Sequence, residues 1–563
     1  MKKNQLLLLG FILIISACRT NEQSVDYDIQ KTAIEANSMV VSAHPEATKV
    51  GVAILKKGGN AVDAAIAVQL ALAVVYPNAG NLGGGGFMIF RDKSGLVKTL
   101  DYREKAPLTA THDMYLDSLG EVTDKSVAGH LAAGVPGTVA GLFAAHQHAK
   151  LDFKELIQPA IVLAERGFKL TQQQANGLNE KRPDFVKHNT TQPILVKEND
   201  WQKDDLLIQK DLAETLKRIR DNGQKGFYEG QTADLIIKEM AAGGGIMTLE
   251  DLKKYKAKWR KPVSFDYKKY KVHSMAPPSS GGVALAQLLG SIEPYPIADW
   301  GFQSPKTVHL MVEAERRTYA DRAKHLGDAD FYDVPTASIT QKEYIKARMS
   351  DFDESQATKS NDIEGGEVPT ESEETTHLSI VDANGNAVSI TTTLNSSFGS
   401  KVVVSGAGFL LNNEMDDFSA KPGVPNIYGL IGAEANAVAP EKRMLSSMTP
   451  TIIEREGKLF MVVGTPGGST IITSVFQTFV NVAEFGMTMS EAVQAKRFHH
   501  QWLPEKVFYE KNALSSSLDS LQKMGHTLEE RDAIGRVDAI LVLENGQLEG
   551  AADTRGDDHA AGF

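Results

Sequence analysis

Cysteine is almost missing from this chain, with Cys18 alone among 563 residues. Disulfides within the chain, cysteine-rich metal sites and a catalytic thiol deep in the fold are excluded with it. Positive charge is also in short supply. Lys and Arg number 60 against 71 Asp and Glu, a formal net charge of −11. That balance argues against nucleic acid or an anionic membrane surface as the main partner, while leaving room for a local cationic pocket. Two common catalytic engines are absent: the sequence contains no Gly-x-Ser-x-Gly elbow and no His-Glu-x-x-His zinc helix. No internal repeat is present, and the only biased tract is acidic.

What is present begins with a targeting segment. Lys2-Lys3 forms a positive n-region, and residues 6–15 an apolar stretch too short to span a bilayer as a mature helix. Ile15-Ser16-Ala17-Cys18 follows in the pattern of a bacterial lipobox. The expectation is that residues 1–17 leave as a signal peptide and that lipidated Cys18 becomes the N-terminus. Residues 18–38 would then serve as a tether. Such a protein is held on a membrane without a spanning segment, extracytoplasmic, in the periplasm or at the cell surface.

The rest of the chain is 42% hydrophobic overall, enough to bury a large core. Residues 47–57 read as a helix ended by Gly58-Gly59, and Asn60 as the cap of an apolar, buried helix over 61–75. Gly83 to Gly86 could cradle a phosphate, but the loop runs into the strand Phe87-Met-Ile-Phe90 instead of a helix N-terminus. Close backbone packing is therefore preferred. Residues 96–104 read as a strand carrying Arg103, 135–260 as largely helical, 267–276 as a strand and 307–324 as an amphipathic helix. The second half alternates hairpins and helices, which points to a layered α/β or α+β protein.

The pivot of the sequence is the boundary at residues 374–375. From Asp351 to Glu374 nine acids face one base, Lys359, a composition expected of a solvated connector. Immediately after it, Thr376 to Ile380 alternate polar and apolar, and Asn384-Gly385 signals a tight hairpin. If the chain is cut before Thr375, hydroxyl nucleophile and α-amine base share one residue. Centring the turn on Asn384-Gly385 places Thr375 opposite Leu394, with Thr393 and Asn395 as near neighbours. Pattern alone equally describes a threonine that merely begins a strand. Gly467-Gly468 lies between a strand and a helix capped by Ser469 or Thr470, where amides form a natural oxyanion hole. Residues 412–417 concentrate amides and carboxylates, and Ser446-Ser447 lie beside Lys442-Arg443. His499-His500 cannot share one face and are not paired metal ligands. Arg555-Gly-Asp557 resembles an adhesion tripeptide by chance.

Several long motifs resemble the γ-glutamyltranspeptidase family of N-terminal-nucleophile hydrolases. They are Gly80-Asn-Leu-Gly-Gly-Gly-Gly-Phe-Met88, Asp101-Tyr-Arg-Glu104, Glu374-Thr-Thr-His377, Thr393-Leu-Asn395, Leu411-Asn-Asn-Glu-Met-Asp-Asp-Phe418, Leu445-Ser-Ser-Met448 and Pro466-Gly-Gly-Ser469. The resemblance implies an α+β, four-layer αββα fold with stacked antiparallel sheets. It also implies self-cleavage into a large subunit (39–374, with connector 351–374) and a small catalytic subunit (375–563) that form a heterodimer. No cofactor and no metal would enter the chemistry. Thr375 would be the nucleophile, with Thr393 its hydroxyl neighbour and the Gly467 and Gly468 amides the oxyanion donors. Arg103, Ser446 and Ser447 would bind a substrate α-carboxylate, and Asn395, Glu414 and Asp417 an α-ammonium. Tyr428 would sit in a lid over Asn395. Substrates would be γ-glutamyl donors such as glutathione, with water or an amino acid or peptide as acceptor. A same-fold acylase acting on cephalosporins or poly-γ-glutamate, and a non-catalytic solute-binding lipoprotein, are the other readings. Two departures stand out: Glu414 where some members have glutamine, and Met444 where proline is expected.

Overall fold

Strand alternation fixes which residues meet across this molecule. The computed structural model describes residues 27, 29–363, 375–424 and 432–563. Cys18, Glu374 and Tyr428 lie outside the described residues. One seven-stranded sheet runs His559–Gly562, Met39–Ser42, Thr376–Val381, Ala387–Thr393, Gly85–Arg91, Val97–Asp101, Lys258–Arg260. The other runs Thr32–Glu35, Leu548–Ala552, Asp538–Val542, Lys458–Gly464, Thr451–Arg455, Tyr270–Ser274, Val263–Tyr267. Every pairing in both sheets is antiparallel.

Three apolar interfaces bind four layers. Leu378, Ile380, Val388 and Ile390 face outward onto the helices Pro45–Lys56 and Ala61–Val75. Their strand neighbours Val381 and Ala387, with Val41 and Ile89, face inward onto Ile452, Val462 and Ile540 of the second sheet. The far side of that sheet, through Ile453, Met461 and Leu541, packs on Gly281–Ile292, Pro305–His325 and Thr470–Ala483. Each fully buried aliphatic side chain contributes about 1.5–3 kcal/mol, so these interfaces carry most of the stability. The order is helix, sheet, sheet, helix, as the α+β reading requires.

The helix Ala61–Val75 is buried along its whole length and begins with the expected Asn60 cap, which forms a reciprocal box with Asp63. Burying Asp63 is tolerated because its carboxylate accepts the backbone N–H groups of Asn60, Lys150 and Leu151. The preceding helix starts two residues earlier than its periodicity suggests, with His44 as its cap and Pro45 in the first turn. The glycine-rich loop packs backbone on backbone. A Cβ on Gly84 would lie 2.1 Å from the Thr393 carbonyl oxygen, and Asn412 N–H donates to the Gly83 carbonyl at 3.1 Å.

Four expectations are corrected. The 375–395 hairpin turns through three residues, Ala383-Asn384-Gly385, with Gly385 at φ +78. Asp382 accepts from the N–H groups of Asn384 (2.8 Å) and Asn386 (3.1 Å), which centres the turn on Asn384. Thr376 therefore pairs with Thr392, and continuing that register sets Thr375 opposite Thr393, one residue from the expected Leu394. Second, the strand expected over 267–276 is the end of one strand and the whole of the next, because Lys268 turns the chain at φ +49. Third, the tether expected over 18–38 contains the strand Thr32–Glu35, which pairs with Leu548–Ala552 and buries Ala33. Fourth, the upstream part of the acidic connector is docked. Arg317 holds Asp351, Glu313 accepts the Thr358 N–H, and Ser360 is buried against Trp502. Among the described residues no helix is long and apolar enough to cross a membrane.

Asp382 also accepts the Ala61 N–H at 2.9 Å, tying the hairpin to the buried helix. Asp382→Ala orphans three backbone donors and is expected to cost about 2–4 kcal/mol. It should lower the thermal unfolding midpoint, whereas Asn545→Ala in an exposed turn should leave it nearly unchanged.

Candidate active site

The register correction has a chemical consequence. Thr375 and Thr393 lie on the same side of the first sheet as His377, Ser389 and Thr391, the side that faces the second sheet. There Ser389 donates to the Val463 carbonyl at 3.1 Å and Ser379 to that of Asp538 at 3.0 Å. The His377 ring is spoken for, with Nδ1 2.9 Å from the Thr391 hydroxyl and Nε2 3.1 Å from that of Ser379. Burial holds this imidazole neutral, its pKa pushed down to about 3. It belongs to the packing between the sheets.

Where the strands end, a small cavity opens. Thr375, Thr393, Asn395, Glu414, Asp417, Ser446, Ser447, Gly468 and Arg103 line it, joined by Arg322. Distant stretches of sequence thus converge on one small space. Thr375 itself is only 5% exposed. Asn395 adopts φ +78, and its N–H donates to the Thr393 hydroxyl at 2.7 Å while its side-chain amide donates to the Asn413 carbonyl. Residues 412–416 are buried and Asp417 is half-buried rather than part of a solvated loop, pinned by Asn412, whose side chain bonds Gly83, Gly134 and the Glu414 N–H. Ser446 is fixed from the facing segment: its N–H donates to the Pro278 carbonyl and its own carbonyl accepts from Ser280.

The electrostatics are unusual. Arg103 is fully buried beyond the end of the strand Val97–Asp101 and contacts Glu414 (2.5 Å), Asp417 and, at 3.6 Å, Glu104. Three carboxylates thus surround one guanidinium, with Arg322 alongside donating to the Ser447 hydroxyl at 3.1 Å. The residues expected to bind opposite ends of a zwitterion are therefore paired with each other. Burial pushes the carboxyls up: Glu104 to about 8, Glu414 well above its usual range and Asp417 upward too, with Arg103 opposing the shift in each case. An acid excess around a buried arginine favours an added cation, and an ammonium supplies one without a metal.

Gly467 and Gly468 follow the strand Lys458–Gly464 and precede the helix Thr470–Ala483, with φ of +136 and +53. Neither N–H donates to a backbone carbonyl among the described residues. Ser469 occupies the cap position without capping, because its hydroxyl donates to Gln501. His499 and His500 bond separate partners, the Thr473 hydroxyl and the Lys506 carbonyl, as expected of non-ligands. His309, Glu313 and His526 cluster elsewhere, but Glu313 is already paired with Arg316 and Arg317. Arg555 is consumed by Glu510 and Asp553 in a partly buried network, so the adhesion-like tripeptide is structural.

Sequence reasoning missed Arg322 and Glu104. Arg322 lies on Pro305–His325, read from the sequence only as an amphipathic helix. Glu315, Arg316, Arg317 and Arg322 are all buried. Glu104 was inside a quoted motif but carried no role.

Residues 47–563 match the family model described as Gamma-glutamyltranspeptidase. The glutathione hydrolase proenzyme of Escherichia coli K12 is 46% identical over 545 residues, 96% of this chain and 94% of that protein. A crystal structure of Helicobacter pylori gamma-glutamyltranspeptidase is similar at TM-score 0.56 and 46% identity, over 57% of this chain and 94% of that one. The fold is also that of a cephalosporin acylase from Bacillus halodurans, at TM-score 0.84 and 24% identity over 96% of this chain and 98% of that one.

Glu104 gives a pH signature. Its pKa is raised in the folded state, so the stability it contributes is full below the unfolded value near 4.5 and is lost as pH rises through about 8. Glu104→Gln should flatten the decline in denaturation midpoint between those limits relative to wild type. An unchanged slope would place the excess proton elsewhere.

Proposed function

The chain belongs to the gamma-glutamyltranspeptidase family, and on that premise we propose that Thr375 is the nucleophile of both its maturation and its turnover. The protein is an enzyme, a γ-glutamyltransferase and glutathione hydrolase made as a proenzyme. The observation that carries the residue assignment is a small cavity in which Thr375 meets both signs of buried charge.

In maturation, Thr375 Oγ attacks the carbonyl carbon of Glu374. The peptide bond breaks as the ester forms, and water opens the ester. This frees the Thr375 α-amine, whose ordinary pKa of about 7.7–8.0 suits a base near neutrality. The products are a large subunit that ends at residue 374 and a small one, 375–563, held as a heterodimer. In turnover the same hydroxyl attacks a γ-glutamyl amide. The amides of Gly467 and Gly468 receive the developing oxyanion, in a site where preorganised donors are worth most. Thr393 orients the nucleophile. Arg103, Ser446 and Ser447, with Arg322 behind Ser447, take the substrate α-carboxylate; Asn395, Glu414 and Asp417 take its α-ammonium. The incoming zwitterion exchanges its own charges for the Arg103–carboxylate pairs, so the site never holds an uncompensated buried charge. Water or an amine then resolves the ester. The likeness to a cephalosporin acylase is one of fold, and the charged head-group cavity favours a small γ-glutamyl substrate. The segment over residues 1–18 supports lipid attachment at Cys18 and an extracytoplasmic, membrane-held location.

Thr375→Ala should leave the chain uncut on denaturing gels and reduce release from γ-glutamyl-p-nitroanilide by more than about 1000-fold. A cut and active alanine variant excludes Thr375. Cys18→Ala should shift the protein from the membrane pellet to the soluble fraction with activity kept; unchanged sedimentation excludes the anchor.

A further inference from the structure

The peptide units that carry the Gly467 and Gly468 N–H groups are both trans. In a planar trans peptide the C=O and N–H bonds point in opposite directions, so whatever holds the carbonyl of a unit aims its amide. The Gly468 N–H shares its unit with the Gly467 carbonyl, and the Gly467 N–H with the Pro466 carbonyl. Both glycines border Thr375, Gly468 in the cavity that contains Arg103 and Gly467 in a neighbouring one.

A threonine hydroxyl holds each of these carbonyls. Thr470 Oγ1 donates to the Gly467 carbonyl at 2.7 Å, alongside the Thr470 N–H at 2.9 Å. Thr465 Oγ1 donates to the Pro466 carbonyl at 2.7 Å. The Thr465 hydroxyl spends its one proton there while it accepts the Arg536 N–H, also at 2.7 Å. Both threonines are fully buried, so water does not compete for these bonds. Glycine at 467 is what admits the Thr470 hydroxyl: a Cβ there would lie 2.5 Å from Thr470 Oγ1, and φ is +136. Helix capping accounts for neither bond, since a cap hydroxyl accepts from backbone N–H groups and these two donate to carbonyls.

We infer that Thr465 and Thr470 are positioning residues for the oxyanion, each hydroxyl turning one glycine amide toward the carbon that Thr375 attacks. The inference rests on the γ-glutamyl reading above and adds to it what fixes the two amides. A hydrogen bond to the carbonyl also polarises its peptide unit and strengthens the N–H at the other end as a donor. The benefit falls on the tetrahedral state, whose oxygen carries a full charge, more than on the planar substrate. When Thr375 Oγ adds to the γ-carbonyl carbon, its proton passes to the Thr375 α-amine and the negative charge moves to the carbonyl oxygen. Collapse breaks the C–N bond, the leaving nitrogen takes that proton, and the ester remains. The threonine protons stay on their own oxygens throughout.

The test compares Thr465→Val and Thr470→Val with Thr465→Ser and Thr470→Ser, activity being referred to the cut chain on denaturing gels. Valine keeps the branched shape and removes the hydroxyl. Two ligands separate the states: L-glutamate, planar at its γ-carbon, and its γ-boronic acid analogue, whose boron takes up Thr375 Oγ and becomes a tetrahedral anion. Each valine variant should lose about tenfold in kcat/KM with γ-glutamyl-p-nitroanilide, less than the about 100- to 1000-fold of a donor removed outright. The boronic acid should bind about tenfold more weakly and L-glutamate as in wild type, and serine at either position should restore both losses. Thr470→Val keeps the Thr470 N–H on the Gly467 carbonyl, and decides the matter if Thr465→Val, which orphans the Arg536 N–H, does not fold. Equal loss for the two ligands, no loss for the boronic acid, or no recovery with serine overturns the inference alone. A wild type that releases no p-nitroaniline overturns the γ-glutamyl reading and this inference with it.

Discussion

The antiparallel pairing of Thr376–Val381 with Ala387–Thr393 is the constraint on which the rest depends. These strands lie at the centre of their sheet, flanked by Met39–Ser42 and Gly85–Arg91, and every residue in both is buried. A slip of one residue would exchange the two faces of the central strand, turning Thr375 from the cavity to the helices and Leu378 from its core into the polar intersheet network. Asp382 prevents that slip by centring the turn on Asn384. The position of Thr375 is therefore set by hydrogen-bonded ladders on both sides, with a precision no surface loop provides.

The second constraint is charge. Arg103, Glu104, Glu414 and Asp417 are buried together, and removing one partner of such a set costs about 3–5 kcal/mol. An arrangement so expensive to disturb persists where a ligand exploits it. The acids pair with Arg103, and burial raises the carboxyl pKa values of Glu104 and Glu414 against that pairing. The same groups that stabilise each other can separate around a zwitterion of matching size. On the proposed reading, structural pairing and binding are two states of one cluster.

Much of this was legible in the sequence because it is local. The Asn60 cap, the strand after the glycine loop and the Gly467-Gly468 turn each depend on a few adjacent residues, and each lies where its pattern placed it. Alternation pointed only to a layered protein, and the four-layer order came from the resemblance that the long motifs carry. What was not legible depends on distance. The one-residue register error came from reading Asn384-Gly385 as a two-residue turn, when the Asp382 carboxylate, which also reaches Ala61, makes it a three-residue one. Arg322 was invisible because a charged helix looks the same in sequence whether its charges face solvent or a second set of charges. The pairing of Arg103 with Glu414 and Asp417 joins residues more than 300 apart, and no local pattern records it.

These layers also explain how a chain cut before Thr375 stays one object. The first sheet interleaves Met39–Ser42, Gly85–Arg91 and Val97–Asp101 with Thr376–Val381, Ala387–Thr393 and His559–Gly562; the second joins Tyr270–Ser274 to Thr451–Arg455. The intersheet core draws Val41 and Ile89 from one side of the proposed cut and Ile452, Val462 and Ile540 from the other. Upstream, Arg317 and Glu313 hold residues 351–358 independently of the strand that carries Thr375. Breaking the bond between residues 374 and 375 thus leaves every ladder and every apolar interface in place. On the proposed mechanism it changes one atom's chemistry: the Thr375 nitrogen, an inert amide before the cut, becomes a base beside its own hydroxyl. Rigidity of the two sheets is what allows so local a change to be the whole of activation.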